Sequence, residues 1–382
     1  MSEALTGKKV NFYFRGRVRK GLKTKELVKR LRPGEIAFIA HRDLDWVAAE
    51  SLWRCGVKAI LNVYPFSTGL IPPDPLQFLL NKGVHLVEML PQHFFETIKD
   101  EQVISIVNDS IFIDHKLEAK GQVFNNERCS QMSREALSSS AAVVDSFVKN
   151  TLDYAYRERR LITGEFTFPP LKTKIRGRDV VVVIRGKGYR EDLRAIRAFI
   201  REKKPVLIGV DGGGDALLEC GYIPDLVIGD MDSTSDAVLT KAREVVVHAY
   251  QDGRGVPGEQ RLSRLGIAHH VFAAPGTSED IALLLAYELG AALIVAIGTH
   301  SSVIEFLEKG RKGMSSTFLV RLKVGDRLVD AKGVSRLYSS RKAVFFLPVI
   351  LMAGLMPLVV LACFSPVVQH LLRLLLLKLR LY

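Results

Sequence analysis

Residues 205–215, which read PVLIGVDGGGD, are the most informative segment of the sequence for the fold. Residues 206–210 form a continuous apolar run, which is typical of a parallel strand buried on both faces. An aspartate and three glycines follow at once, at the end of the strand where open α/β sheets bind their ligands. Residues 224–233, PDLVIGDMDS, repeat this arrangement, because a short apolar strand there leads into Asp230 and Asp232.

Strands and helices alternate around these two segments. Apolar strands are predicted at 180–184, 205–210 and 226–228, and a helix is predicted at 191–202. This alternation is typical of a parallel sheet covered by helices. The sequence therefore predicts a parallel-sheet α/β domain over residues 179–340.

The strand ends of this domain carry residues suited to a hard cation. Mg²⁺ prefers carboxylate oxygen and water, so Asp211, Asp230 and Asp232 are predicted to gather around one ion. For any single aspartate the alternative is a capping or turn residue.

Glycine-rich turns near these aspartates are candidates for binding phosphate. Gly212, Gly213 and Gly214 lack a Cβ, so backbone N–H groups could approach a polyphosphate closely. After the first strand, residues 185–188 read RGKG and place Arg185 and Lys187 near the start of a helix. An ordinary glycine-rich turn is the alternative there.

The order DGG followed by PDLxIGDxDS resembles the signature of thiamine pyrophosphokinases and their diphosphokinase superfamily over residues 179–300. The flanking regions resemble SteA-type proteins, a family described as cytokinetic-ring proteins that end in a membrane tail. The phrases that carry the second resemblance are GTSED at 276–280, residues 294–300, EFL at 305–307 and residues 311–321.

The resemblance implies that ATP or another nucleotide is bound with Mg²⁺ as cofactor. It assigns Asp211, Asp230 and Asp232 to the metal, and it makes Asp230, Asp232 and Asp280 the catalytic residues of an active enzyme. Arg185, Lys187, Asp211, Gly212, Gly213, Gly214, Ser233, Thr277 and Ser278 are the implied phosphate-binding residues.

Two ligand-binding functions stay open at this stage. One is a nucleotide- or diphosphate-binding protein of cell division or envelope assembly. The other is an active diphosphokinase that converts ATP and a thiamine- or pterin-type alcohol into AMP and a diphosphate. The segments at 276–280 and 298–300 depart from the kinase pattern, which favours binding without turnover. A scaffold that binds no ligand is a third possibility. A homo-oligomer and a membrane-protein partner in cell division are also expected.

The first part of the chain predicts a separate domain. Residues 35–64 read strand, helix, strand, and later short strands at 103–106, 111–113 and 121–124 suggest a small β meander. His41, Arg42, Asp43 and Asp45 fall at a strand-to-helix turn, where they could contact a ligand or cap the helix. We predict an N-terminal α/β domain at 35–125, preceded by a basic segment at 1–34 and followed by a bridging helix and linker at 126–178.

The formal charge of +13 is concentrated locally, because residues 8–32 contain eleven lysines and arginines against one glutamate. A solvated positive face or contact with anionic lipid headgroups would explain it. Nucleic acid is not expected, since no reader motif accompanies the charge. The four cysteines are widely spaced, which predicts neither a disulfide framework nor a zinc site and fits a reducing compartment.

The last forty residues are far more apolar than the rest of the chain. No Asp, Glu, Lys or Arg occurs from residue 343 to residue 372. This predicts a transmembrane segment at 343–372 with a basic-apolar tail at 373–382. The bulk of the chain is then expected in the cytoplasm, anchored to the cell membrane at its C-terminal end.

Overall fold

The computed structural model describes residues 12–164, 166, 168–249, 255–256, 258–308, 311, 313–337 and 343–379. The chain divides into two units, residues 1–332 and residues 333–382. The first unit contains two β-sheets with their helices. The second consists of helices only, as far as the structure describes it.

The first sheet has eight strands in the order β7-β6-β5-β1-β2-β3-β4-β8. Its strands are β1 (Tyr13–Gly21), β2 (Ile36–Ile39), β3 (Ala59–Asn62), β4 (His85–Glu88), β5 (Val103–Val107), β6 (Ser110–Ile113), β7 (Lys116–Lys120) and β8 (Gln122–Phe124). Strands β1 to β4 are parallel, and the remaining strands pair antiparallel. The helices are α1 (Thr24–Leu27), α2 (Trp46–Arg54), α3 (Asp74–Asn81) and α4 (Gln92–Thr97). The predicted β meander is confirmed in part. The strands near 103–106 and 111–113 pair as β5 and β6, but the third strand of the meander is β7, while β8 pairs with β4 at the opposite edge of the sheet.

The structure starts this domain earlier than the sequence predicts. Strand β1 lies in the middle of the sheet although it falls inside the basic segment 1–34, of which residues 1–11 are not described. The strand was not predicted because its sequence is rich in basic residues. Arg15 and Arg17 point to solvent, whereas Val18 is buried. Arg19 is also buried and lies 3.0 Å from the carboxylate of Glu35.

The long helix predicted after this domain is confirmed as α5 (Asn126–Arg157), with Asn125 capping its N-terminus through the backbone N–H of Arg128. Cys129, near its start, packs in the core of the first sheet, and Ala155, near its end, packs in the core of the second. A short helix α6 (Arg160–Thr163) follows. Helix α5 therefore connects the two sheets.

The second sheet is wholly parallel and runs in the order β13-β12-β11-β10-β9-β14-β15. Its strands are β9 (Asp179–Val183), β10 (Val206–Val210), β11 (Leu226–Gly229), β12 (Glu244–Ala249), β13 (His270–Ala273), β14 (Leu293–Ile297) and β15 (Leu328–Asp330). The helices are α7 (Tyr189–Ala195), α8 (Arg197–Lys203), α9 (Gly213–Glu219), α10 (Asp236–Lys241), α11 (Glu259–Arg264), α12 (Ser278–Glu288), α13 (Val303–Glu308) and α14 (Ser315–Val324). The predicted parallel-sheet α/β domain is confirmed.

The second unit contains α15 (Val334–Leu337), α16 (Ala343–Phe364) and α17 (Pro366–Leu379). Among the residues that the structure describes, no helix has both the length and the hydropathy needed to cross a membrane. The transmembrane segment predicted at 343–372 is therefore not supported.

Candidate functional site

A cleft of about 1000 Å³ opens between the two sheets of the first unit. One wall is formed by loops that follow β1 and β2, and it includes Lys25 and Arg42. The opposite wall is formed by loops that follow β9, β10, β11, β13 and β14. Ligands bind outside the carboxyl ends of parallel strands in open α/β sheets. Here two such sheets turn their carboxyl ends toward the same space.

The second sheet reverses its winding direction at this cleft. From β9 the chain moves to β10 on one side, whereas from β14 it moves to β15 on the other side. Adjacent strands with diverging connections leave a crevice between their carboxyl ends. Arg185 follows β9, His300 follows β14, and both line the cleft.

Asp211 and Asp230 form the acidic centre of the cleft. They follow the neighbouring parallel strands β10 and β11, and the backbone N–H of Asp230 donates to Oδ1 of Asp211 at 3.0 Å. The hydroxyl of Ser278 also donates to Asp211. Burial, and then the charge of Asp230, raises the pKa of Asp211 to about 7. The fold thus holds the carboxylates of Asp211 and Asp230 close together, where it is unfavourable for both to be ionised.

The backbone around these carboxylates leaves no room for a larger residue. A Cβ on Gly229 would lie 1.8 Å from Oδ1 of Asp211. Asp211 itself has a φ of +47°, a left-handed conformation in which Asp and Asn are the commonest residues after glycine. Asp211 and Asp230 can therefore adopt this arrangement only with glycine at position 229.

The donor set fits Mg²⁺ as a pair of carboxylates rather than as a trio. Among the described residues no group of three or more His, Cys, Asp or Glu side chains is arranged to hold a metal. The third predicted ligand is Asp232, whose backbone N–H donates to Asp230 while its carboxylate lies 3.9 Å from Nζ of Lys25, and its role at the metal stays a prediction. Mg²⁺ is commonly held by one or two carboxylates together with substrate phosphates and water. Asp211 and Asp230 can supply those two carboxylates.

The cleft brings together most of the residues predicted to bind phosphate. They are Arg185, Asp211, Gly212, Ser233, Thr277 and Ser278. Gly213 and Gly214 are buried instead, inside the first turn of α9. A Cβ on Gly213 would lie 1.8 Å from the carbonyl oxygen of Val183, so this glycine allows α9 to pack on β9.

Two further predicted residues, Lys187 and Asp280, do not line the cleft. Nζ of Lys187 lies 3.6 Å from the ring centre of Trp46, and both residues line a smaller cavity of about 140 Å³. Asp280 is buried and caps α12 in a reciprocal pair with Thr277. Its carboxylate also accepts a 2.7 Å hydrogen bond from Ser316. The geometry gives Asp280 a structural role, and the catalytic role predicted for it stays a prediction.

A histidine that the sequence reasoning did not select lies in the cleft. Nδ1 of His300 lies 3.0 Å from Oε2 of Glu279, and both side chains are about nine-tenths buried. Arg321 lies 3.9 Å from the other oxygen of Glu279 and 3.0 Å from Asp330. The position of His300 directly after a strand of the parallel sheet was the signal that could have identified it.

The basic wall was also missed as part of the site. The sequence predicted a solvated face or lipid contact for the segment that contains Lys25, but Nζ of Lys25 donates to the hydroxyl of Ser233 at 3.3 Å. At the turn after β2, His41 and Arg42 line the cleft, while Asp45 caps α2 by accepting from Ala48 at 2.7 Å. The predicted cap is therefore observed at Asp45, and ligand contact by His41 and Arg42 stays a prediction.

Two family models match this chain. The thiamin pyrophosphokinase catalytic domain matches residues 199–253, which include both strands that carry the acidic pair. The SteA-like C-terminal domain matches residues 332–381. Both resemblances are confirmed.

Two curated relatives carry the same description, 6-hydroxymethyl-7,8-dihydropterin pyrophosphokinase. The protein from Methanothermobacter thermautotrophicus is 31% identical over 134 residues, which cover 31% of this chain and 56% of that protein. The protein from Methanocaldococcus jannaschii is 31% identical over 87 residues, which cover 22% of this chain and 36% of that protein. The chain thus spans about half or less of the relatives that it matches.

Among solved structures, thiamine pyrophosphokinase from Bacillus subtilis is 23% identical. The likeness covers 40% of this chain and 61% of that one, with a TM-score of 0.25.

The raised pKa of Asp211 predicts a change in stability with pH. The folded state keeps the proton of Asp211 up to about pH 7, whereas the unfolded state loses it near pH 4. Stability should therefore fall as the pH rises from about 4 to 7. Asp211→Asn removes this loss, and since Asp211 is partly exposed we expect a gain of roughly 2 kcal/mol at pH 8.

Urea unfolding at pH 4.5 and pH 8 measures this difference. Asp114→Asn is the matched control, because Asp114 is exposed and has a similar φ of +46°. An equal effect of both substitutions, or no gain for Asp211→Asn at pH 8, would contradict the repulsion between Asp211 and Asp230.

Proposed function

We propose that this protein binds a nucleotide such as ATP, together with Mg²⁺, in the cleft between its two sheets. The observation that carries the proposal is the contact between Asp211 and Asp230 at the ends of adjacent parallel strands. A divalent cation between these carboxylates would offset their repulsion, and bound phosphates would complete its coordination. The match to a pyrophosphokinase catalytic domain over the same strands supports this proposal.

The protein's own residues define how the phosphates would be oriented. Asp211 and Asp230 hold the metal-bearing end, while Thr277 and Ser278 lie at the N-terminus of the long helix α12 on the same side of the cleft. Backbone N–H groups at such a terminus favour anions. Arg185 adds a positive charge beside the carboxyl end of β9.

We expect Asp211→Asn and Asp230→Asn each to weaken the binding of MgATP by at least about tenfold, because each removes one charged ligand of the metal. Isothermal titration of the full chain measures this effect. Chelation of Mg²⁺ with EDTA should weaken ATP binding by a similar amount. The control Asp114→Asn should bind as the wild type does. Equal affinity in all variants would exclude the acidic pair as the metal site.

A second function, transfer of the pyrophosphoryl group, is favoured by His300 and by the two pterin pyrophosphokinase relatives. In this reaction the hydroxyl oxygen of an acceptor attacks the β-phosphorus of ATP. The bond from that phosphorus to the oxygen bridging the α-phosphate breaks, and AMP leaves. Glu279 engages Nδ1 of His300, so Nε2 is the nitrogen that can accept the hydroxyl proton.

For this second function we expect His300→Gln to lower the rate of AMP release by about 10²–10⁴-fold, which is the usual contribution of a general base. The assay supplies MgATP and 6-hydroxymethyl-7,8-dihydropterin, and titration should show unchanged binding of MgATP. The control is His93→Gln, since His93 is exposed and lies outside the cleft. If the wild type binds MgATP but releases no AMP with this acceptor, pterin transfer is excluded and the binding function stands.

For the C-terminal unit we propose contact with a membrane surface, in line with the resemblance to SteA-type proteins. Both of its longer helices expose large apolar side chains, including Phe364 on α16 and Leu371 on α17. Exposed apolar faces beside basic residues such as Arg373 favour an anionic lipid interface. The role in cell division or envelope assembly, the membrane-protein partner and the homo-oligomer stay predictions.

Vesicle flotation of the full chain tests this contact. We expect flotation with anionic vesicles, and Leu371→Glu together with Leu374→Glu should reduce it, because charge on the apolar face opposes burial in lipid. The matched control is Leu117→Glu together with Leu70→Glu, because both are exposed leucines of the first unit that do not line the cleft. Failure of the wild-type chain to float, or equal flotation of both variants, would contradict the proposal.

A further inference from the structure

The wall of the cleft that comes from the first sheet carries more positive charge than its own acidic groups can balance. Its cationic residues are Lys23, Lys25, Lys29 and Arg42, with His41 beside them. The acidic residues of this wall are already engaged, because Glu26 lies 3.8 Å from Nζ of Lys23 and Asp45 caps α2. Lys29 and Arg42 form no salt bridge with any residue that the structure describes.

The two walls approach each other beside the acidic pair. Nζ of Lys25 lies 3.9 Å from Oδ2 of Asp232, and the backbone N–H of Asp232 donates to Oδ1 of Asp230 at 2.9 Å. Lys25 therefore contacts Asp232, which in turn contacts Asp230, a residue proposed to hold Mg²⁺. A phosphate bound to that metal would lie within reach of the lysine ammonium group.

We propose that the segment 22–29, which contains α1, and the His41–Arg42 turn bind the outer phosphates of a nucleoside polyphosphate or another diphosphate ester. This inference rests on the proposed function and deepens it, because it makes the first sheet half of the binding site. The second sheet holds the metal-bearing end of the ligand, and the lysines of the first sheet neutralise the charge that the metal leaves uncompensated.

The contact between Lys25 and Asp232 is too weak to be the reason that a basic wall faces an acidic one. Lys25 and Asp232 are both substantially exposed, and exposed pairs of this kind contribute little to stability. The cleft between the walls measures about 1000 Å³, which is at the upper end of the range for small-molecule sites. Positive and negative walls that face each other across such a space suit an anion that carries its own divalent cation.

Titration of the full chain with MgATP and with magnesium pyrophosphate tests the inference. Loss of one charged phosphate contact should cost about tenfold in affinity, so we expect Lys25→Ala with Lys29→Ala to weaken both ligands by up to about 100-fold. Lys25→Arg with Lys29→Arg should restore most of the affinity, since arginine also binds phosphate. AMP, with a single phosphate, should lose less affinity than ATP.

The matched control is Lys58→Ala, because Lys58 is an exposed lysine of the same domain that does not line the cleft. It should bind as the wild type does, and thermal unfolding should show that the alanine variants are folded. If these variants bind both ligands with wild-type affinity while Asp211→Asn does not, the first sheet takes no part in phosphate binding and this inference is wrong. If the wild type binds neither ligand, the proposed function fails and the inference fails with it.

Discussion

The parallel pairing of β10 with β11 is the constraint on which the site depends. Parallel strands bring their carboxyl ends to one edge, and the register of this pair lets the backbone N–H of Asp230 reach the carboxylate of Asp211. Gly229 makes the approach possible, since any side chain there would collide with that carboxylate. Without this pairing, the two charges would lie on separate loops with no fixed distance between them.

The acidic pair works against the stability of the sheet that positions it. Burial and the charge of Asp230 both disfavour ionised Asp211, which raises its pKa to about 7. The surrounding packing outweighs this cost, because α12 is buried along most of its length against the same sheet. The reciprocal cap of Thr277 and Asp280 fixes the start of that helix. Asp280 therefore helps to position Thr277 and Ser278, which line the cleft, although Asp280 does not line it.

The sequence predicted the features that depend on local pattern. The continuous apolar runs before Asp211 and Asp230 identified the parallel strands and placed both carboxylates at their ends. It did not predict residues whose role depends on distant partners. The hydrogen bond between His300 and Glu279 joins residues 21 positions apart, and Gly213 matters only because α9 crosses β9. The membrane span was inferred from composition alone, and the helices described in that region do not support it.

The basic segment shows why net charge alone could not reveal its role. Within a few residues of one another, Arg17 points to solvent from β1, Arg19 is buried against Glu35, and Lys25 reaches the opposite wall of the cleft. Arg17 is exposed because the side chains of a strand alternate between its two faces. Arg19 is held by its salt bridge with the buried carboxylate of Glu35, and Lys25 lies in the segment that follows the strand. The basic residues of this one segment therefore have three different roles: contact with solvent, a buried ion pair in the fold, and a side chain in the cleft. The role of each residue follows from its position in the first sheet, which the sequence alone does not give.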